Sequence, residues 1–264
     1  MVKYFLLLLL VALTVGLFVK QYQYLSPSPP KIPRFETNLP TNQPVVISPK
    51  SGDTITGPLV IKGYIPKSWT FEGQFQMKLL DSQRRIIIQD RVPVEWDNEN
   101  KKDTLYFVES YNYHTSATSG FLVLENDNPS GLPEKQKNIE ILVNFSKPPP
   151  DTVYLFLYNP EEDKKICDCV ACQVVLPEPV KIAHTETPIK DTLNLLAKKM
   201  HPDFYVKSLN LKNNILTIEF PVIDSFTSGG SCIQGINLLQ VVKTAKQFPE
   251  VKFEKVIPDE IFQP

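Results

Sequence analysis

GQFQMKLLD, residues 73–81, decides how the first half of this chain is read. Phe75, Met77 and Leu79 alternate with Gln74, Gln76 and Lys78. That period of two puts one face of an extended strand in a core and the other in water. NIEILVNF, residues 138–145, repeats the pattern, with Ile139, Ile141, Val143 and Phe145 set against Glu140 and Asn144. Further apolar runs lie at 45–47, 59–61, 86–88, 105–108 and 121–124. Turn signals separate them: Ser51-Gly52-Asp53, Asp81-Ser82-Gln83, Asp97-Asn98-Glu99-Asn100 and Asn128-Pro129-Ser130-Gly131. Seven short strands at this spacing predict an all-β immunoglobulin-like sandwich over residues 45–147. Trp69 and Trp96 read as core or rim packing, and no Cys–Trp–Cys spacing of the antibody type occurs.

Lys147-Pro148-Pro149-Pro150 ends that pattern, because three prolines continue neither a helix nor a central strand. Beyond it the periodicity turns mixed, and residues 151–264 read as a small α/β (α+β) domain. Val153 to Tyr158 is an apolar strand, and residues 173–182 are a second extended piece broken by Pro177 and Pro179. A helix follows, with Thr187 as cap, Pro188 at its first position and Asp191 in its first turn. Ile189, Leu193, Leu196, Ala197 and Met200 share one face, and His201-Pro202 ends it. Strands near 204–211 and 215–220 flank the Lys212-Asn213-Asn214 turn. A second helix spans about 232–247, with Leu238, Val241, Val242 and Ala245 on one face. Phe248-Pro249 stops it before a last strand over 251–257.

The other end of the chain predicts its location. Tyr4 to Val19 is apolar except for Thr14, is flanked by Lys3 and Lys20, and contains five consecutive leucines. Residues 1–25 therefore read as a signal anchor, a transmembrane helix, with a cleaved secretory signal as the alternative. No small-x-small cleavage pattern follows it, and no lipid-accepting cysteine. Residues 26–44 carry six prolines and read as a stiff, extended linker. The expected location is the cell membrane, single-pass, with the bulk of the chain extracytoplasmic.

Charge and motifs exclude several functions. The formal net charge is −1 without a dense basic run, which argues against nucleic acid as partner. His114, His184 and His201 are too far apart for zincin spacing. Ser228-Gly229-Gly230-Ser231 precedes a helix but lacks the Lys-Ser/Thr of a phosphate loop, so it reads as a turn with Ser231 as N-cap. Glu125-Asn126-Asp127-Asn128 is oxygen-rich, but its spacing fits turn chemistry rather than an EF-hand. Glu161-Glu162-Asp163 reads as a solvated loop, and His114, among Tyr111, Tyr113 and Thr115, as strand-edge packing, with an aromatic binding surface as the alternative. No nucleophile elbow or cofactor fingerprint occurs, so the expectation is a non-enzymatic protein without catalytic residues, cofactor or metal. Cys167, Cys169, Cys172 and Cys232 allow disulfides outside the cytoplasm, or a four-thiolate zinc site.

SPKSGDTITGPLVIKGYI, WTFEGQFQMKLLDSQRRII and GFLVLENDNPSGLPEKQKNIEILVNF together resemble the Gmad-type immunoglobulin-like domain of bacterial spore-germination proteins. Its most specific parts here are Trp69 to Gly73, including Glu72, and the run Asn128, Pro129, Ser130, Gly131 to Pro133. Residues 151–264 resemble the GerMN domain of sporulation and germination proteins. The matching pieces are Gly229, Gly230, Ser231 and Cys232, the run Thr244 to Pro249, the Val251-x-Phe strand, and Glu260 to Pro264. The chain departs from that pattern by passing straight from Met200 to Phe204, where many relatives carry a Gly-Pro insertion. The resemblance implies a Cys169–Cys232 disulfide, with Cys167–Cys172 closing a small ring and Cys172–Cys232 as the other register. It also implies an extracytoplasmic scaffold or protein-interaction module in cell-envelope or germination-type assembly, whose partners are other envelope proteins. An envelope glycan or peptide is the alternative ligand.

Overall fold

The computed structural model describes residues 42–95, 102–166, 174–227, 230–258 and 261–262. The expected anchor, residues 26–41 of the expected linker, Trp96, Cys167, Cys169, Cys172 and Gly229 lie outside the described residues. No helix among the described residues is long and apolar enough to cross a membrane.

The first lobe is an immunoglobulin-like sandwich. One sheet orders β1 (Val45–Ser48), β3 (Leu59–Pro66) and β6 (Thr104–Tyr111). The other orders β2 (Thr54–Ile55), β8 (Asn138–Phe145), β7 (Ser119–Glu125), β4 (Gln74–Asp81) and β5 (Ile86–Pro93). The two-residue β2, which pairs parallel to β8, adds to the strands expected from the sequence. The alternation works as predicted: Phe75, Met77 and Leu79 are fully buried, with Leu122, Leu124, Val143 and Phe107 around them. Phe75 and Phe107 meet edge to face at 5.1 Å between centroids.

Strand β6 departs from one-sided burial. Leu105, Tyr106, Phe107 and Val108 are all buried. Leu105 and Phe107 enter the sandwich core, whereas Tyr106 and Val108 pack with Ile166, Val174, Tyr64 and Leu176. An unbroken apolar run is the mark of a strand covered on both sides. Here the second cover is the other lobe.

That lobe begins with β9 (Thr152–Tyr158), α1 (Pro160–Ile166) and β10 (Val175–Lys181), the two strands pairing antiparallel. Next come α2 (Pro188–Met200) and a three-stranded sheet, ordered β11 (Ser208–Lys212), β12 (Ile215–Glu219), β13 (Phe253–Ile257). Between β12 and β13 lie α3 (Asp224–Thr227) and α4 (Ser231–Ala245). Leu193, Leu196, Leu216, Ile218, Val241 and stacked Phe204 and Phe220 form its core. Thr187 stands at the start of α2, but its hydroxyl donates to Asp191 Oδ2 at 3.0 Å and caps no backbone N–H. Gly230, not Ser231, occupies the cap position of α4.

The open edge of β9 is closed by a helix. Gln247 Oε1 accepts from the Tyr154 N–H (2.8 Å), Thr244 Oγ1 from Phe156 (3.0 Å) and Gln240 Oε1 from Tyr158 (3.0 Å). Strand residues two apart turn their N–H groups the same way, and helix residues three or four apart share a face, so the two periods mesh. Thr244 is fully buried and Gln240 nearly so. Replacing Thr244 with Val keeps the shape and strands the buried Phe156 N–H. We expect a loss of about 1–3 kcal/mol in urea unfolding for Thr244→Val. Thr244→Ser, which retains the oxygen, should lose much less.

Candidate functional site

The two segments that carry the resemblance organise one end of the sandwich. Phe71 and Gln74 exchange backbone hydrogen bonds of 3.1 and 3.2 Å across Glu72-Gly73. Both central residues have positive φ, 51° and 74°, as a tight hairpin turn of this hand requires. Glycine supplies the second at no steric cost. Trp69 is 2 % exposed, in the core, and its carbonyl accepts the Asp127 N–H at 2.9 Å. The second segment is held by its own side chains. Asn128 Nδ2 donates to Leu132 O (2.8 Å), Ser130 Oγ donates to Asn128 Oδ1 (2.6 Å), and Gly131 turns with φ 65° after Pro129. Buried Asn126 grips the chain further on through Lys135 O and the Lys137 N–H. The oxygen atoms of this run thus serve turn chemistry, and Glu125 pairs with Lys78 at 2.8 Å.

The seam between the lobes overturns one expectation. Glu161-Glu162-Asp163 is not a solvated loop but part of α1, with Glu162 9 % and Asp163 2 % exposed. Glu162 accepts from Lys62 (2.7 Å), Lys165 (3.0 Å) and the Tyr106 hydroxyl (2.5 Å). Asp163 accepts from the Tyr158 hydroxyl and the Val174 N–H, both at 3.0 Å. A charged run in sequence is usually solvated, and the signal missed was Ile166 and the apolar Leu105–Val108 run that this helix covers. A second polar cluster lies along the seam. Lys243 Nζ reaches Glu109 at 2.5 Å and Ser110 O at 2.8 Å, Asn112 Nδ2 donates to Lys243 O, and Ser110 Oγ to Val175 O.

Burial alone would raise the Glu162 pKa, but the hydrogen bonds from Lys62, Tyr106 and Lys165 outweigh it and hold the carboxyl below its ordinary range. Burial, with Glu162 beside it, pushes the Tyr106 hydroxyl far up, so it stays a donor.

Beside the seam a cleft of about 870 Å³ opens between the lobes. Tyr113, Phe145, Tyr154 and Phe248 give it aromatic walls, and Ser116, Thr118, Ser146, His114 and Lys147 add polar groups. The Tyr113 hydroxyl donates to Ile55 O (3.3 Å) and the Tyr154 hydroxyl to Thr56 O (3.0 Å), so both rings are tied to neighbouring carbonyls of the sandwich. A side chain on Gly57 would strike the Tyr154 ring, so the backbone there is bare to admit it. His114 lines this cleft, beyond the end of β6 at Tyr111. Burial and the Lys252 ammonium lower its pKa, against the pull of the Lys246 backbone and Glu250.

Cys232 is exposed near the start of α4, and among the described residues it forms no disulfide. Its expected partners, Cys167, Cys169 and Cys172, lie outside the described residues.

The geometry of the first lobe agrees with its relationships. Residues 45–131 match the family described as the immunoglobulin-like domain of bacterial spore germination, Gmad2. Strand β8, beyond the match, completes the larger sheet. No curated protein is significantly similar to the chain.

Two outcomes follow from the seam and the cleft. Glu162 has a depressed folded pKa, so its contribution is present above the ordinary glutamate value of about 4.3 and fades as pH falls through the folded value. The protection of β6 and α1 amides, relative to their intrinsic exchange rate at each pH, should therefore fall in that acid range in the native chain, and Glu162→Gln should lack this acid step. Gly57→Ala should displace Tyr154 and cost about 1–3 kcal/mol in urea unfolding. Adding Tyr154→Leu should recover part of the loss.

Proposed function

We propose that this chain is a non-enzymatic, extracytoplasmic protein-interaction scaffold, held at a bacterial membrane by its N-terminal apolar segment and serving cell-envelope or germination-type assembly. The observation that carries this reading is the germination-type immunoglobulin-like domain at residues 45–131, locked by β6 against a second lobe. We take that second lobe to be of the GerMN type, on the strength of the Gly-Gly-Ser-Cys run before α4 and the Val251-x-Phe strand after it. A rigid pair of lobes presents partner surfaces at a fixed angle, which is what a scaffold needs.

The cleft favours one further reading, binding of an envelope glycan or peptide. Aromatic walls with a few convergent polar groups suit a ligand better than acid–base chemistry, because both tyrosine hydroxyls are already engaged.

Exposed Cys232 provides the topological test. A membrane-impermeant maleimide, applied to intact cells after mild reduction, should label Cys232. Labelling only after lysis would place the lobes in the cytoplasm and overturn the proposal. Titration with soluble muropeptides should shift NMR signals of residues 112–118 and 145–154 saturably if the glycan reading holds. Unchanged spectra would remove that reading and leave the scaffold one.

A further inference from the structure

Sheet edges expose unpaired N–H and C=O groups, and proteins block edges that must stay single. Nearly every edge here is blocked. β1 is short and its register shifts between Val46 and Ser48, and β2 has two residues. β5 carries Asp90, Arg91 and Pro93, and β6 takes the Glu95 N–H on the Tyr106 carbonyl at 2.7 Å. β9 is closed by α4, and β10 holds Pro177 and Pro179. β13 has Lys255 at its centre, so two copies joined there about a two-fold axis would set lysine against lysine.

β11, SLNLK, has no proline, no bulge and no charge at its centre, its one lysine, Lys212, standing at its end. It pairs with β12 without interruption from Ser208↔Glu219 to Lys212↔Ile215, and no strand lies on its other side among the described residues. Asn213 and Asn214 form a two-residue turn with φ 53° and 63°. In such a hairpin the flanking residues are a hydrogen-bonded pair, so Lys212, Asn210 and Ser208 bond inward to β12. Leu209 and Leu211 therefore turn their backbone groups outward. Their side chains are half-buried against the lobe's core, while Ser208, Asn210 and Lys212 are exposed on the opposite face.

We propose that β11 joins a second copy of this chain, antiparallel about a two-fold axis at Asn210, to make one continuous sheet. That register uses the whole strand. Leu209 exchanges backbone hydrogen bonds with the partner's Leu211, and Ser208 faces the partner's Lys212. Asn210 faces the partner's Asn210 across a non-bonded position, where Cα atoms lie about 4.5 Å apart. No like charges oppose, and the half-exposed leucines of both copies meet and lose their remaining contact with water. This contact needs neither the membrane anchor nor the cleft, so it stands apart from the function proposed above.

The test uses the full chain in detergent, sized by sedimentation. The native chain should show a reversible dimer. Asn210→Asp and Asn210→Lys each change one exposed residue and leave the core of the monomer untouched, but set like charges opposite one another in the dimer, and each should weaken dimerisation about fivefold. Mixing the two variants should restore it, because Asp then faces Lys. Asn210→Cys should cross-link to itself on mild oxidation, beyond any cross-linking of the native chain. A monomeric native chain, a dimer indifferent to both charges, or a mixture that fails to recover would each overturn the proposal. Slow amide exchange at Leu209 and Leu211 in a monomer would show that another segment covers the edge and would also overturn it.

Discussion

Strand β6 has to serve two cores at once, and the rest of the architecture follows from that. Its odd positions, Leu105 and Phe107, fill the sandwich, and its even positions, Tyr106 and Val108, fill the space beneath α1 and β10. Burying a large side chain stabilises by roughly 1.5–3 kcal/mol, so the second face alone is a substantial part of a domain's net stability. The polar groups of the seam fix its register. Glu162 reaches into the interface only because Lys62, Tyr106 and Lys165 satisfy it, and an unpaired carboxylate there would be costly. The cleft lies alongside this seam and inherits its rigidity, with two tyrosines fastened to adjacent carbonyls of the sandwich.

The second lobe solves a related problem by different means. Among the described residues β9 has no neighbouring strand on one side, and α4, with Gln247 just past its end, supplies acceptors instead. This places Gln240, Thr244 and Gln247 where an amphipathic helix would ordinarily carry aliphatic residues. The helix is tied to the sheet in a set register, which also delivers Lys243 to Glu109 and Ser110 on the sandwich. A single helix thus closes a sheet edge and reaches across the seam.

Much of this was legible in the chain itself. The alternation at 74–79 and 139–145, the proline break at 148–150 and the amphipathic stripe of α2 all report burial that is local and periodic. What stayed hidden was non-local. Glu162 and Asp163 look solvated because sequence carries no sign that Lys62 and Tyr106, from the other lobe, hold the first carboxylate, or that the Tyr158 hydroxyl and the Val174 N–H hold the second. The polar ladder of α4 reads as an interruption of an apolar face until β9 is set beside it. Tyr113, Tyr154 and Phe248 come from separate elements, so nothing in their spacing brings them to one cleft. The unbroken Leu105–Val108 run read as one more strand of the sandwich, and its double cover is evident only in the fold.

The seam also changes the meaning of the proline connection. Lys147 to Pro150 is the covalent link between the lobes, yet β6, α1 and α4 hold them together by side-chain and backbone contacts far from it. A pull on one lobe is carried through the seam in parallel with the backbone, and the prolines bear only what the seam does not. A protease that nicked this exposed stretch would cut the chain and leave the two fragments clasped, so chain continuity and mechanical continuity are separate properties of this molecule.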